Sequence, residues 1–200
     1  MAIRVLDIVG EGAFRGPVYL KSENDSINFD PGVWRFKHTA FYLASSIQKH
    51  NLPTKKLLNQ DNIEVSLDQF KGKKVILEWT NHECPYVKRH YSSNNMQTTQ
   101  EFAKSKNIMW ITVISSANGK QGYIPPKDAM NTFASFGSFP DHVLIDENGD
   151  LGKQFNAKTT PHIFIADKDK NIVYQGAIDD AGGAKFWTTD LNKSTNFVRT

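Results

Sequence analysis

Lys73–Tyr91 reads KKVILEWTNHECPYVKRHY and decides the fold. Val75, Ile76, Leu77 and Trp79 form a short apolar run rich in β-formers, which predicts a core strand. Four polar residues follow, then Cys84, the single cysteine of the 200 residues, and then Pro85. Proline is favoured in the first turn of a helix, where its missing N–H would have had no partner. A thiol just before such a proline faces the unpaired N–H groups and the positive end of the helix dipole, a setting that favours a thiolate. Strand, polar turn, Cys84 and helix therefore form the candidate chemical unit.

Outward from this unit the pattern is regular. Ile63, Val65 and Leu67 alternate as a strand, and Ile108–Ile114 (IMWITVI) is a second core strand. The helix from Pro85 is expected to break near Ser92–Asn95. Pro125–Pro126 opens another helix through Phe136. His142–Ile145 is a short strand and Leu151–Ala157 a short helix. His162–Ala166 and Ile172–Ala177 form a hairpin around Asp167–Asn171, a segment rich in turn formers. Strands alternating with helices and closing in a hairpin give an α/β sandwich with a central mixed sheet flanked by helices. Residues 1–45, rich in Gly, Pro, Ser and Asp, read as an N-terminal extension, with WRFKHTAFYLASSI (34–47) as its one ordered piece; 46–200 read as the main domain.

Composition narrows the function. Against 24 Lys and Arg stand 21 Asp and Glu, giving a net charge of +3 with interspersed signs. No basic stripe or binding motif points to nucleic acid. No run reaches the length of a membrane span, and the start, MAIRVLDIVGEGAFRG, lacks the apolar core of a signal peptide. The expected location is the cytoplasm. One cysteine excludes an intramolecular disulfide.

The Asn81-His82-Glu83-Cys84-Pro85-Tyr86-Val87 unit, the Thr160-Pro161-His162-Ile163-Phe164-Ile165 segment and the closing YQGAIDD (174–180) resemble a thioredoxin-fold redoxin. The nearest group is the alkyl hydroperoxide reductase/thiol-specific antioxidant, or peroxiredoxin-like, family, over about residues 50–182. The resemblance implies a thioredoxin-like sandwich, a nucleophilic role for Cys84, and a cis Thr160–Pro161 bond across the site. The tail Ser194–Thr200 resembles the start of the group's terminal helix, which implies C-terminal truncation and, with it, loss of any resolving cysteine beyond Thr200. Three positions depart from the family patterns. Val87 stands where thioredoxins carry their second cysteine. Asn81 replaces the threonine or serine that peroxiredoxins carry three residues before the nucleophile, and Thr160 occupies the position of their peroxide-polarising arginine.

Cys84, Pro161 and Thr160 are thus the candidate catalytic residues. Asn81, Glu83, Pro85 and Lys88, which flank the thiol, are the candidate substrate-binding residues. Lys88 and Arg89 would stabilise a thiolate if they curl back, and Glu83 would oppose it. His82, Glu83, Cys84 and His90 do not give a zinc spacing, so no metal and no cofactor is expected. Asp179 and Asp180 read as capping or solvated residues after the last strand. The sequence predicts a thiol oxidoreductase acting through one cysteine on disulfides or peroxides, with an external thiol reductant or protein disulfide as partner. Two alternatives stand beside it: a non-catalytic redoxin-fold binding module, and a carrier of a soft metal such as copper(I).

Overall fold

The computed structural model describes residues 18–21, 26–29, 56–181, 187–188 and 190–199. The chain divides into two compact units, Met1–Gln48 and Lys49–Thr200. In the first, strands β1 (Val18–Lys21) and β2 (Ser26–Phe29) pair antiparallel, with Val18 opposite Phe29. This hairpin lies outside the piece that the sequence marked as ordered, and 34–47 itself falls outside the described residues.

The second unit is built on a seven-stranded mixed sheet. Its strands are β3 (Lys56–Asn59), β4 (Glu64–Ser66), β5 (Val75–Trp79), β6 (Met109–Ile114), β7 (His142–Ile145), β8 (His162–Ala166) and β9 (Ile172–Gly176), in the order β4-β3-β7-β6-β5-β8-β9. β5, β6 and β7 run parallel, while β8 is antiparallel to β5 and β9 to β8. Among the described residues, four α-helices complete it: α1 (Pro85–Ser92), α2 (Asn95–Ser105), α3 (Pro126–Ser135) and α4 (Asp150–Phe155). This is a thioredoxin-like sandwich.

β5 is buried along its whole length because both faces are covered. Val75, Leu77 and Trp79 face one cluster with Leu151 and Phe155 of α4. Ile76 faces the other, with Val87 and Tyr91 of α1, Met96 and Ala103 of α2, and Phe133 of α3. The period of two sorts the side chains between the layers. The same parity sends Glu78 to the Ile76 face, where it is fully buried. Tyr91 donates its hydroxyl to both Glu78 carboxylate oxygens at 3.1 Å, and Trp110 Nε1 donates to Oε2 at 3.0 Å. Burial raises the Glu78 pKa above its ordinary value, against the lowering effect of these hydrogen bonds.

Local chemistry sets the element ends. Asn94 and Asn156 adopt left-handed conformations at the start of α2 and the end of α4; asparagine tolerates that region better than most residues. In the β8–β9 turn, Asp167 Oδ1 accepts from the N–H groups of Asp169 and Asn171.

Three sequence readings need correction. Leu67 belongs to a 3-10 turn, Leu67–Phe70, because Ser66 caps it by accepting the Asp68 N–H. The 190–199 segment carries no helix start: it is a short 3-10 turn, Leu191–Lys193, followed by a bridge from Asn196 to Asp179. Asp179 does cap the turn, its carboxylate accepting the Ala181 N–H, but it is buried rather than solvated. It accepts from Asn95 Nδ2 at 3.0 Å and from the Ala181 N–H at 3.1 Å, and lies 3.8 Å from His90 Nδ1.

Candidate active site

The polar turn after β5 is wound tightly by its own hydrogen bonds. Asn81 accepts the Cys84 N–H through its carbonyl at 2.9 Å, and the Glu83 N–H through its side-chain oxygen at 2.9 Å. Cys84 then takes an extended conformation (φ −63°, ψ 127°) as the N-cap of α1, and its carbonyl accepts the Lys88 N–H. Pro85 occupies the first turn, where no N–H is missed. The Cys84 side chain makes no capping bond. The half-buried thiol points across the sheet end and donates to the carbonyl oxygen of Thr160 at 3.4 Å.

β8 supplies the opposite wall. The Thr160–Pro161 peptide bond is cis. His162, the next residue, pairs in register with Trp79 at the end of β5, which brings the two segments side by side. His162 Nδ1 accepts the Lys158 N–H at 3.3 Å, and its ring lies 4.4 Å from that of Phe164. Burial, with Lys158 nearby, lowers its pKa to about 4, so the imidazole is neutral at pH 7.

The structure therefore brings Cys84, Thr160 and Pro161 together. Asn81 and Glu83 build the turn beneath the thiol, and the Glu83 carboxylate accepts the N–H of Gly122 at 2.6 Å. Pro85 and Lys88 are exposed on the first turn of α1. Val87 is 1% exposed and belongs to the core. On the outer side of α1, Tyr86 stacks against Trp187 with ring centres 5.4 Å apart, and the Arg89 guanidinium lies over Trp187. His90 points inward to Asn95, and its pKa is lowered to about 4 by burial and by Arg89. Among the described residues, no group of three or more His, Cys, Asp or Glu side chains could hold a metal ion, and no helix is long and apolar enough to cross a membrane.

Sequence reasoning missed two parts of this architecture. Gly122 locks the β6–α3 loop to the Cys84 turn, and a glycine in a polar loop gave no signal of that partner. Glu78 anchors α1 from below through Tyr91; its signal, an acid inside an otherwise apolar strand, was visible.

The redoxin family model matches residues 47–187, well over half of the chain. The chain belongs to the redoxin family. No curated protein sequence matches it. Among solved structures, an uncharacterized conserved protein from Geobacillus kaustophilus superposes with a TM-score of 0.59 at 22% identity, covering 68% of this redoxin and 71% of that chain. A putative thiol:disulfide interchange protein DsbE from Chlorobium tepidum gives 0.51 at 20% identity, over 64% and 84%. The thioredoxin domain of a thiol-disulfide oxidoreductase from Bacteroides vulgatus gives 0.51 at 17%, over 70% and 92%. At these identities the likeness is one of fold. The family assignment stands at the redoxin level, as the family model gives it.

Proposed function

We propose that this redoxin is a thiol–disulfide oxidoreductase working through Cys84 alone, with an external thiol completing each cycle. The contact that carries this reading is Cys84 Sγ to the Thr160 carbonyl, 3.4 Å. It sets a half-buried thiol at a helix start, uncommitted to capping, against the main chain of the segment that leads into β8. In the first step the Cys84 sulfur loses its proton and attacks one sulfur of a substrate R–S–S–R. A Cys84–S–S–R bond forms, the substrate S–S bond breaks, and the released RS⁻ takes up the proton as RSH. A second thiol R′SH then attacks the R sulfur, giving R–S–S–R′ and returning the reduced thiol. With Val87 in place of a second cysteine, no internal thiol can take that step.

Disulfide is favoured over peroxide by the group that faces the sulfur. Cleaving an O–O bond calls for a donor to the departing oxygen, whereas the Thr160 carbonyl is an acceptor. On this reading an extended sulfur-bearing chain lies along the Thr160 main chain, ahead of the paired part of β8. Asn81, Glu83, Pro85 and Lys88 would border that chain.

Intact mass spectrometry of the reduced protein tests this. Exposure to a small disulfide should give one stable adduct, removed by added thiol. Under equimolar peroxide, oxidation should be much slower. Rapid conversion to a sulfenic acid, with no disulfide adduct, would replace this reading with a one-cysteine peroxidase.

A further inference from the structure

On the α4 side of the sheet, a cavity of about 570 Å³ opens between the end of β5 and the 149–160 segment. Its wall includes Trp79, Ser115, Lys153, Lys158 and Thr160, and none of its lining residues is acidic. Thr160 is shared with the thiol site, since its carbonyl accepts from Cys84 Sγ. Cavity and nucleophile are therefore neighbours across one residue.

The floor is fixed by a chain of hydrogen bonds. Trp79 Nε1 donates to Ser115 Oγ at 3.1 Å, and the Ser115 hydroxyl donates to Asp146 Oδ2 at 2.6 Å. Asp146 also accepts the N–H groups of Leu151 and Gly152 at 3.0 and 2.9 Å. That carboxylate is 2% exposed and held by three donors, so it does not offer its charge to the cavity. Gly152 lets α4 lie close: a Cβ there would stand 3.1 Å from Ser115 Oγ and 3.4 Å from Trp79 Nε1.

Two exposed lysines, Lys153 and Lys158, are part of the cavity wall. Lys153 Nζ has an exposed pair to Asp150 at 3.8 Å and donates to the Asn148 carbonyl at 3.4 Å; exposed pairs of that kind contribute little. A ligand carboxylate in this space has two lysines and no acid among the residues that line it. The volume falls within the range of small-molecule sites, about 300–1,000 Å³.

We propose that this cavity binds the carboxylate-bearing end of a low-molecular-weight disulfide and so presents its sulfur to Cys84. The inference rests on the thiol-exchange reading above and names its substrate class: small anionic thiols and their disulfides. The step is the exchange already written, with R carrying the carboxylates and an external thiol as co-reactant.

The test measures mixed-disulfide formation on the reduced full chain by intact mass, using glutathione disulfide (anionic), 2-hydroxyethyl disulfide (neutral) and cystamine (cationic). The anionic-to-neutral rate ratio should exceed that of a free cysteine peptide by about tenfold at low salt, and should shrink with added salt. In the Lys153→Gln/Lys158→Gln variant this ratio should fall by about fivefold or more. A ratio within about twofold of the free peptide's, or one that neither salt nor the double variant changes, overturns the inference. If the variant does not fold, the salt series and the cystamine comparison on the unmodified protein decide. Reaction with all three disulfides without discrimination removes the cavity inference alone. No reaction with any of them removes the thiol-exchange reading and this inference with it.

Discussion

The main-chain N–H of Gly122 donates to the Glu83 carboxylate at 2.6 Å, tying the β6–α3 loop to the turn that carries Cys84. Gly122 has φ +79°, and a Cβ on it would stand 2.5 Å from both Cγ and Oδ1 of Asn81. Loop and turn interlock, and only glycine fits between them. The thiol is positioned from two directions, by this lock below and by Thr160 opposite.

Gly122→Ala should therefore destabilise the domain by about 1–3 kcal/mol, through the positive φ and the clash with Asn81. Chemical denaturation measures this. The alkylation rate of Cys84 should change with it, because the Asn81–Glu83 turn must shift. A variant with unchanged midpoint and unchanged alkylation would mean the loop is not packed as described.

Val87→Cys should convert the site to a two-thiol exchanger. Residue 87 lies three positions after Cys84, the N-cap of α1, and side chains three apart at a helix start are neighbours. The substitution removes volume from a core position and should cost about 0.5–1.5 kcal/mol. The readout is the product: both halves of a substrate disulfide released as thiols, with an internal disulfide left between Cys84 and the introduced thiol. A persistent mixed disulfide at Cys84 would show that the two sulfurs cannot meet.

Glu78 should leave a signature in stability against pH. Its folded pKa is raised above the ordinary 4.5 by burial, so the folded state binds the proton more tightly than the unfolded chain. The stability that Glu78 contributes is full below pH 4.5 and is lost as pH rises through the folded pKa. Relative to Glu78→Gln, the protein should lose about 1.4 kcal/mol for every tenfold by which folding tightens proton binding at Glu78. Thermal melts of both proteins across the acid and neutral range check the sign. A difference that grows in favour of Glu78 with rising pH would contradict it.

His90 acts in the opposite sense. Its folded pKa, about 4, lies below its ordinary 6.5 because of burial first and Arg89 second. Between these values the unfolded chain binds more protons, so stability falls as pH drops from 6.5 towards 4. His90→Gln should flatten that acid limb, whose slope from one such group approaches about 1.4 kcal/mol per pH unit. The same melts show it; an acid limb as steep as that of the unmodified protein would place the titration elsewhere.

Much of this was legible in the chain. Apolar runs, proline positions and the Asp167–Asn171 turn located β5, β6, α1, α3 and the β8–β9 hairpin, because these depend on local pattern. Cys84 stood out through the proline beside it. Besides the Gly122 lock, three things were not legible, all because they are long-range. β3 is four residues of mixed polarity, held between β4 and β7 rather than by its own sequence. Asp179 looks like a solvated turn residue until Asn95, far away in sequence, is seen donating to it. The cavity beside Thr160 arises from small residues and lysines on α4 and the following loop, whose meeting with Trp79 and Ser115 depends on the sheet order.

On the proposed reading, Cys84 catalyses thiol–disulfide exchange with help only from an external thiol. The direct measurement is the steady-state rate at which the protein transfers electrons from a small thiol to a disulfide, with the uncatalysed exchange subtracted and Cys84→Ser run in parallel. Turnover should depend on both thiol and disulfide concentration, pass through the Cys84 mixed disulfide, and vanish in Cys84→Ser. Turnover equal in the two proteins, or a Cys84 that reacts no faster than a free cysteine, would contradict it.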